Sequence, residues 1–361
     1  MKLKNGLRVL WRSPKEIQIG TDPRLAHTIE ILHPREFETL KLLETEQTPA
    51  RLRRVHARAG GVRERVDQLL AELRDHNLLA STNLTAETQV PPAARPTLAA
   101  EAETRSLIEP DGWKTLAQRA GQSVTVYGLG RTGAHVALAL AASGVGTLQI
   151  HDPRAVRQRD LGQVYDRYHV RMPRAEAVAQ IVSQHYPSCQ IRAHQRFTRP
   201  DAAVLIGEEV TDPTRAAYLT QRRINHLAIT IEDISITVGP YVVRQAPPCL
   251  RCQRLWATEQ DPSWPALATQ RFTCSAIHAR GEDPTLAAIA GNLAAAQVLQ
   301  ALAGQSPAAH AKAATISLPD YIPQWHAIEA HPRCHNHQPR QPEPAPTRPA
   351  TPPPPLPLPP V

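Results

Sequence analysis

Gly128-Leu129-Gly130-Arg131-Thr132-Gly133 follows directly on the β-rich run at residues 123–127 and leads into a helical stretch, Ala134 to Ser143. A glycine turn in that setting does anion chemistry. Gly128 allows the tight turn, Gly130 lets backbone N–H groups approach a phosphate, and Gly133 lets the helix pack closely on the strand. The helix N-terminus then offers free donors and a partial positive charge. Asp152, 24 residues after Gly128, closes a second strand at residues 147–150. A carboxylate there accepts hydrogen bonds from ribose hydroxyls. The turn by itself suits NAD as readily as ATP.

Cysteines form the second group. Cys249-Leu250-Arg251-Cys252 is answered far downstream by His331-Pro332-Arg333-Cys334-His335-Asn336-His337. Cys249, Cys252, Cys334 and His337 supply three sulfurs and one imidazole, a tetrahedral Zn2+ set, with His331 and His335 competing for the fourth place. A redox pair or two ordinary buried thiols are the alternatives. A closed structural site would clip the C-terminal segment to the core and leave no position for substrate.

Three compositional breaks divide the chain. Residues 81–106, polar and Pro/Ala-rich, read as a linker. Residues 339–361 hold Pro at 12 of 23 positions, which excludes helix and sheet and predicts a disordered, extended proline-rich tail. Before the linker, residues 7–20 predict two short strands, and residues 34–44, 48–59 and 62–76 predict three helices. Thr48 caps the second, and Val66, Leu69, Leu70 and Leu73 make the apolar stripe of the third. Residues 1–80 therefore form a small winged-helix-like α+β module. Peptide capture on a strand edge, DNA binding through the arginines at 51–65, and a purely structural role all fit it.

The net charge of +8 over 361 residues permits an acidic partner without requiring one. The first residues lack the apolar run of a signal peptide, and Leu286 to Leu302 reads as a buried helix, interrupted by Asn292, Gln297 and Gln300. Five cysteines with one tight pair do not make a disulfide framework, so a cytoplasmic setting is expected.

From Gly128 to Tyr186 the order of pieces resembles the ThiF/MoeB/HesA family, bacterial relatives of ubiquitin-activating enzymes. ASGVGTLQIHDPRAV (142–156), RDLGQVY (159–165) and MPRAEAVAQIVSQHYP (172–187) carry the resemblance, which spans roughly residues 107–338. It implies an α/β, Rossmann-like domain that binds ATP with Mg2+ and adenylates the carboxylate of a peptide or small protein, commonly as a homodimer. Gly128, Gly130, Gly133 and Asp152 match the family's turn and ribose acid. Asp212 stands at its Mg2+-associated aspartate, and Arg174 where it has a phosphate-binding lysine. Asp160-Leu161-Gly162-Gln163 replaces the family's Asn-Leu-x-Arg, so a phosphate-contacting arginine is absent, with Arg157 and Arg159 nearby as substitutes.

The resemblance also places zinc ligands at the cysteine pairs and offers Cys274 as an acyl acceptor, against the alternative of a buried thiol. The segment at 256–270 resembles a subgroup with an appended N-terminal module, and residues 1–80 resemble the PqqD-like peptide clamp in overall arrangement. Adenylation of a peptide carboxylate is thus the leading reading. A catalytically degenerate scaffold holding a leader peptide for a partner modifying enzyme is the second, and an NAD-dependent oxidoreductase the third.

Overall fold

The computed structural model describes residues 1–58, 60–80, 85–193, 198–244, 246–274 and 281–337, apart from the side chains of Cys274 and His337. The proline-rich stretch at 339–361 therefore lies outside the described residues.

The N-terminal module is built on its own apolar nucleus. β1 (Val9–Ser13), β2 (Glu16–Ile19) and β3 (His27–Glu30) form an antiparallel sheet. That is one strand more than residues 7–20 predict, because β3 directs only Ile29 fully inward and lacks an alternating signal. α1 (Arg35–Lys41), α2 (Pro49–Arg58) and α3 (Arg63–Asp75) follow. Thr48 Oγ1 accepts from Arg51 N at 3.2 Å, an N-terminal cap. Val66, Leu69, Leu70 and Leu73 all turn inward against Ile17, Ile19, Ile29 and Leu40. The arginines divide: Arg51, Arg54, Arg58 and Arg63 lie exposed, while Arg53 pairs with Asp67 and Arg65 with the buried carboxylate of Glu36 at 3.1 Å.

Residues 81–106 depart from the irregular linker expected. α4 (Arg95–Ser106) forms there and packs on α5 (Gly112–Ala120), burying Leu98 and Ala102 against Trp113 and Leu116. Its inward stripe is largely alanine, which is too common along this chain to show a period. Arg119 of α5, almost wholly buried, donates to Glu101 at 3.0 Å and to the Ser143 carbonyl at 2.5 Å. Lys4 donates to the carbonyls of Ser106 and Glu109, which joins the module to α4.

The large domain holds one sheet of eight strands. β4 (Ser123–Tyr127), β5 (Thr147–His151), β6 (Gln190–Arg192), β7 (Ala202–Glu208) and β8 (Asn225–Ile231) are mutually parallel. β9 (Ser235–Val242), β10 (Lys312–Ser317) and β11 (Gln324–Ala327) continue it antiparallel. The parallel part runs β6-β5-β4-β7-β8, so strand order reverses between β4 and β7. A crevice opens at such a reversal, beyond the carboxyl ends of the strands. Both faces of β4, β5, β7 and β8 are buried, which accounts for their largely apolar character, while β6 is a short, more exposed edge.

Helices α6 (Arg131–Ala142), α7 (Arg174–His185), α8 (Pro213–Gln221), α9 (Leu250–Gln260), α10 (Trp264–Cys274) and α11 (Pro284–Leu302) complete the fold. By length and composition α11 could cross a membrane. It is instead packed on α6 and β9, with Ala287, Ala290, Ala294 and Val298 buried in the main core. Gly291 permits the closeness of α11 to α6: a Cβ there would lie 2.5 Å from His135 Cβ and 3.0 Å from the Thr132 carbonyl oxygen.

Gly291→Ala should therefore lower the thermal midpoint. Helix propensity favours the alanine by about 1 kcal/mol, but overpacking costs about 1–3 kcal/mol. A raised midpoint in thermal circular dichroism would show that α6 and α11 can move apart at little cost.

Candidate nucleotide site and cysteine centre

The carboxyl ends of β4 and β5 bring the glycine turn and Asp152 together, as their spacing predicts. Gly128 has φ +92°, and a Cβ on it would sit 2.9 Å from the Ile206 carbonyl oxygen of β7. A Cβ on Gly133 would strike the Gly128 carbonyl, so only glycine lets α6 start this close to the strand.

Asp152 is nearly fully buried and its carboxylate is saturated by protein donors. Oδ2 accepts from Leu129 N at 2.8 Å and Arg174 Nη1 at 3.1 Å; Oδ1 accepts from Arg154 N and Nε, each at 3.0 Å. Burial pushes this carboxyl upward, but the bonds from Arg154 and the charges of Arg154 and Arg174 hold it down at about 2.

Arg174, at the first turn of α7, is also buried. Its Nε and Nη2 donate to Asp160 at 3.1 and 2.8 Å, a two-pronged contact, while Nη1 reaches Asp152. Arg154 in turn reaches Glu208 at 2.5 Å. The result is a line of alternating charges, Glu208–Arg154–Asp152–Arg174–Asp160, running under the crevice. Arg174 and Asp160, two separate departures from the family pattern, are partners. Arg154, absent from the sequence reading, is the residue that binds Asp152 most fully; its position two residues after the ribose acid was the available signal. Arg157 and Arg159, considered as replacements for the missing arginine, have exposed side chains, one just before and one within the short helix Gln158–Asp160.

Asp212 caps α8, its Oδ1 accepting from Thr214 N at 2.9 Å and Arg215 N at 3.1 Å. Its Oδ2 stays 3.7 Å from Arg215 Nε. Asp212 borders the same cleft as Tyr127, Gly128, Asp152, Arg154 and Ile206, about 220 Å³ in volume. The Arg215 guanidinium lies 4.2 Å over the Tyr127 ring at its rim. Gly128, Asp152 and Asp212 thus share one cleft, and Arg174 is joined to it through its bond to Asp152.

The start of α6 holds a group that sequence reading missed. Glu282, 150 residues downstream of Thr132, accepts from Arg131 N at 3.2 Å, Thr132 N at 2.8 Å and Thr132 Oγ1 at 2.6 Å. Burial pushes the Glu282 carboxyl upward against the lowering effect of these bonds and of Arg174. No local pattern signals such a contact. The donors at Arg131 and Thr132 are thus engaged by an anion of the chain itself.

At the other end of the domain Cys249, the residue before α9, has its Sγ 4.0 Å from Cys252 and 3.7 Å from Cys334, all three buried. A Zn–S bond of about 2.3 Å in a tetrahedron sets sulfurs about 3.8 Å apart, whereas a disulfide needs about 2.05 Å. The three sulfurs therefore fit a cation. His331 is turned elsewhere: Nε2 lies 3.0 Å from Glu259, Nδ1 accepts from Arg333 N at 3.1 Å, and the ring meets Trp256 edge-on. Asn336 Nδ2 reaches Cys249 Sγ at 3.3 Å. The backbone of His337 is in the short helix that follows Cys334, while its side chain is outside the described residues, as is that of Cys274. Cys189 is a core thiol, pushed up to about 12 by burial, which leaves it inert at neutral pH.

The ThiF family profile matches residues 103–338. No curated protein matches the sequence. Among solved structures, E. coli MccB with succinimide superposes with TM-score 0.67 at 13% identity, over 93% of this chain and 98% of that one. E. coli MccB with AMPCPP and selenomethionine MccA gives TM-score 0.67 at 13% identity, covering 92% and 98%. PaaA gives 0.65 at 16% identity, covering 90% and 98%. At those identities the likeness is one of fold.

Two outcomes follow. Asp152→Asn leaves Arg154 and Arg174 short of a buried partner and should cost about 3 kcal/mol at neutral pH. A carboxyl depressed from 3.8 to about 2 stabilises the fold above the higher value, so in urea melts the difference should shrink as pH falls between those two values. The purified chain should also carry about one zinc by elemental analysis, lost in Cys334→Ser and retained in His331→Ala.

Proposed function

Since this chain belongs to the ThiF family, we propose that it binds ATP with Mg2+ and adenylates the carboxylate of a peptide or small protein. In that reaction a carboxylate oxygen attacks the α-phosphorus, the bond to the β-phosphate oxygen breaks, and pyrophosphate leaves. The observation that carries the reading is the cleft that Gly128, Asp152, Arg154 and Asp212 line together, with the anion site at Arg131 and Thr132 following Gly128 along the same glycine turn. Arg174 would bring positive charge beneath the phosphates, and Asp152 would meet the ribose once Arg154 yields one of its bonds. Asp212 would hold Mg2+ through the oxygen that the α8 cap leaves over; the metal would supply charge neutralisation to the triphosphate. Zn2+ at Cys249, Cys252 and Cys334, with His337 as fourth ligand, would tie the chain's end to α9 without entering the reaction.

E. coli MccB has been solved with ATP and with MccA, which supports a peptide as the substrate class here. The N-terminal module would hold that peptide as an added strand. β1 and β3 are the open edges of its sheet, and the exposed Leu10 and Trp11 offer apolar contact along β1. A homodimer and a partner modifying enzyme belong to the same reading.

A second reading has its own observation. Asp160 partly neutralises Arg174, Gln163 stands in place of an arginine, and a carboxylate already fills the anion site. Those features favour a ThiF-like scaffold that holds a leader peptide without turning over ATP.

Pyrophosphate–ATP isotope exchange with candidate peptides separates the two. The enzymatic reading expects exchange that needs Mg2+ and falls about a hundredfold in Asp212→Asn. Titration with ATP and NAD side by side should give heat with ATP alone. Peptide affinity combined with no ATP affinity would establish the scaffold instead.

A further inference from the structure

The first backbone N–H groups of a helix have no partner within it, and here they meet an acid from the same chain. Glu282 Oε1 lies 3.2 Å from Arg131 N; Oε2 lies 2.8 Å from Thr132 N and 2.6 Å from Thr132 Oγ1. The carboxylate fills the space that Gly130 leaves open, since a Cβ on Gly130 would collide with Glu282 Oε1. Phosphate and carboxylate want the same donors, and two anions cannot share them.

We propose that Glu282 is an internal anion that keeps the phosphate subsite closed, so that a nucleotide enters only as Glu282 leaves. The inference rests on the nucleotide-binding reading above and adds its regulation. The backbone at and just after Glu282 is anchored: Arg131 donates from its guanidinium to the Glu282 carbonyl, and Asp283 caps α11 through Leu286 N at 2.8 Å. Rotation about the side-chain bonds of Glu282 is therefore the movement that opens the site. Arg174, already divided between Asp152 and Asp160, contributes attraction to whichever anion is present. Occupancy thus becomes a competition between a tethered carboxylate and a free polyanion.

The test is calorimetric titration of the full chain with ATP–Mg2+ and, separately, with inorganic pyrophosphate. Wild type, Glu282→Ala and Glu282→Gln are compared, with circular dichroism to verify folding. Charge-assisted hydrogen bonds of this kind set the expectation that Glu282→Ala binds pyrophosphate about tenfold more tightly or better. Glu282→Gln should fall between, and it carries the test if the alanine variant does not fold. Glu176→Gln, which removes a charge from an exposed place on α7, should leave affinity unchanged. Equal affinities for wild type and both Glu282 variants would overturn the internal anion and leave nucleotide binding standing. Pyrophosphate bound by the variants, with ATP bound by none, would uphold the internal anion and sink the nucleotide reading. Silence toward both ligands in every protein would overturn both.

Discussion

Arg174 divides one buried guanidinium between Asp152 and Asp160, and the geometry of the crevice depends on that division. Asp152 also binds Leu129 N, and Asp160 also binds Arg157 N, so one cation joins the glycine turn, the end of β5 and the loop at 157–161. A lysine offers a point charge and could not hold both acids in fixed planes; a guanidinium can. Removing one partner of such a buried cation costs about 3–5 kcal/mol, so the pair must be read together. What looks like two losses of a phosphate-binding pattern is, in three dimensions, a single exchange. Charge that a ligand would otherwise meet is instead committed to the protein.

That exchange explains why the crevice has an architecture suited to nucleotides and a modest field. Arg154 and Arg174 lie against Asp152, Asp160 and Glu208, with Glu282 added at the start of α6. In a low-dielectric setting each such pairing sets local potential more strongly than the overall charge of the chain. A triphosphate would arrive at donors already in use. Binding would then be governed by exchange of partners rather than by attraction at a distance.

Sequence spacing revealed what depends on near neighbours. The Gly128–Gly133 turn, Asp152 after one strand, and the stripe Val66, Leu69, Leu70, Leu73 all lie within a few turns of backbone, and all stand where their periods predict. Asp212 lines the same cleft as Gly128 and Asp152, though spacing gave no sign of its capping bonds to Thr214 and Arg215. α4 escaped notice because alanine carries its buried face. Glu282 escaped because its partners are 150 residues away. No residue type demands such a partner, so only the folded chain brings the two together. The cysteines fall between these cases: their types announced a cluster, and folding was needed to turn His331 toward Glu259 and away from it.

The joint between the N-terminal module and the rest has a mechanical meaning. Ile17, Leu40, Leu52 and Leu69 belong to one apolar nucleus and the strands of the large sheet to another. Between them lie Lys4, Asn5, Ala99, Ser106 and Trp113 around a gap of about 200 Å³. Polar links across a gap transmit strain poorly, because packed side chains are what carry displacement through a protein. A ligand seated on the module would therefore pass little displacement on to the crevice. It would act as a tether, holding its free end within a small volume and replacing a search through bulk solvent by a search on a leash.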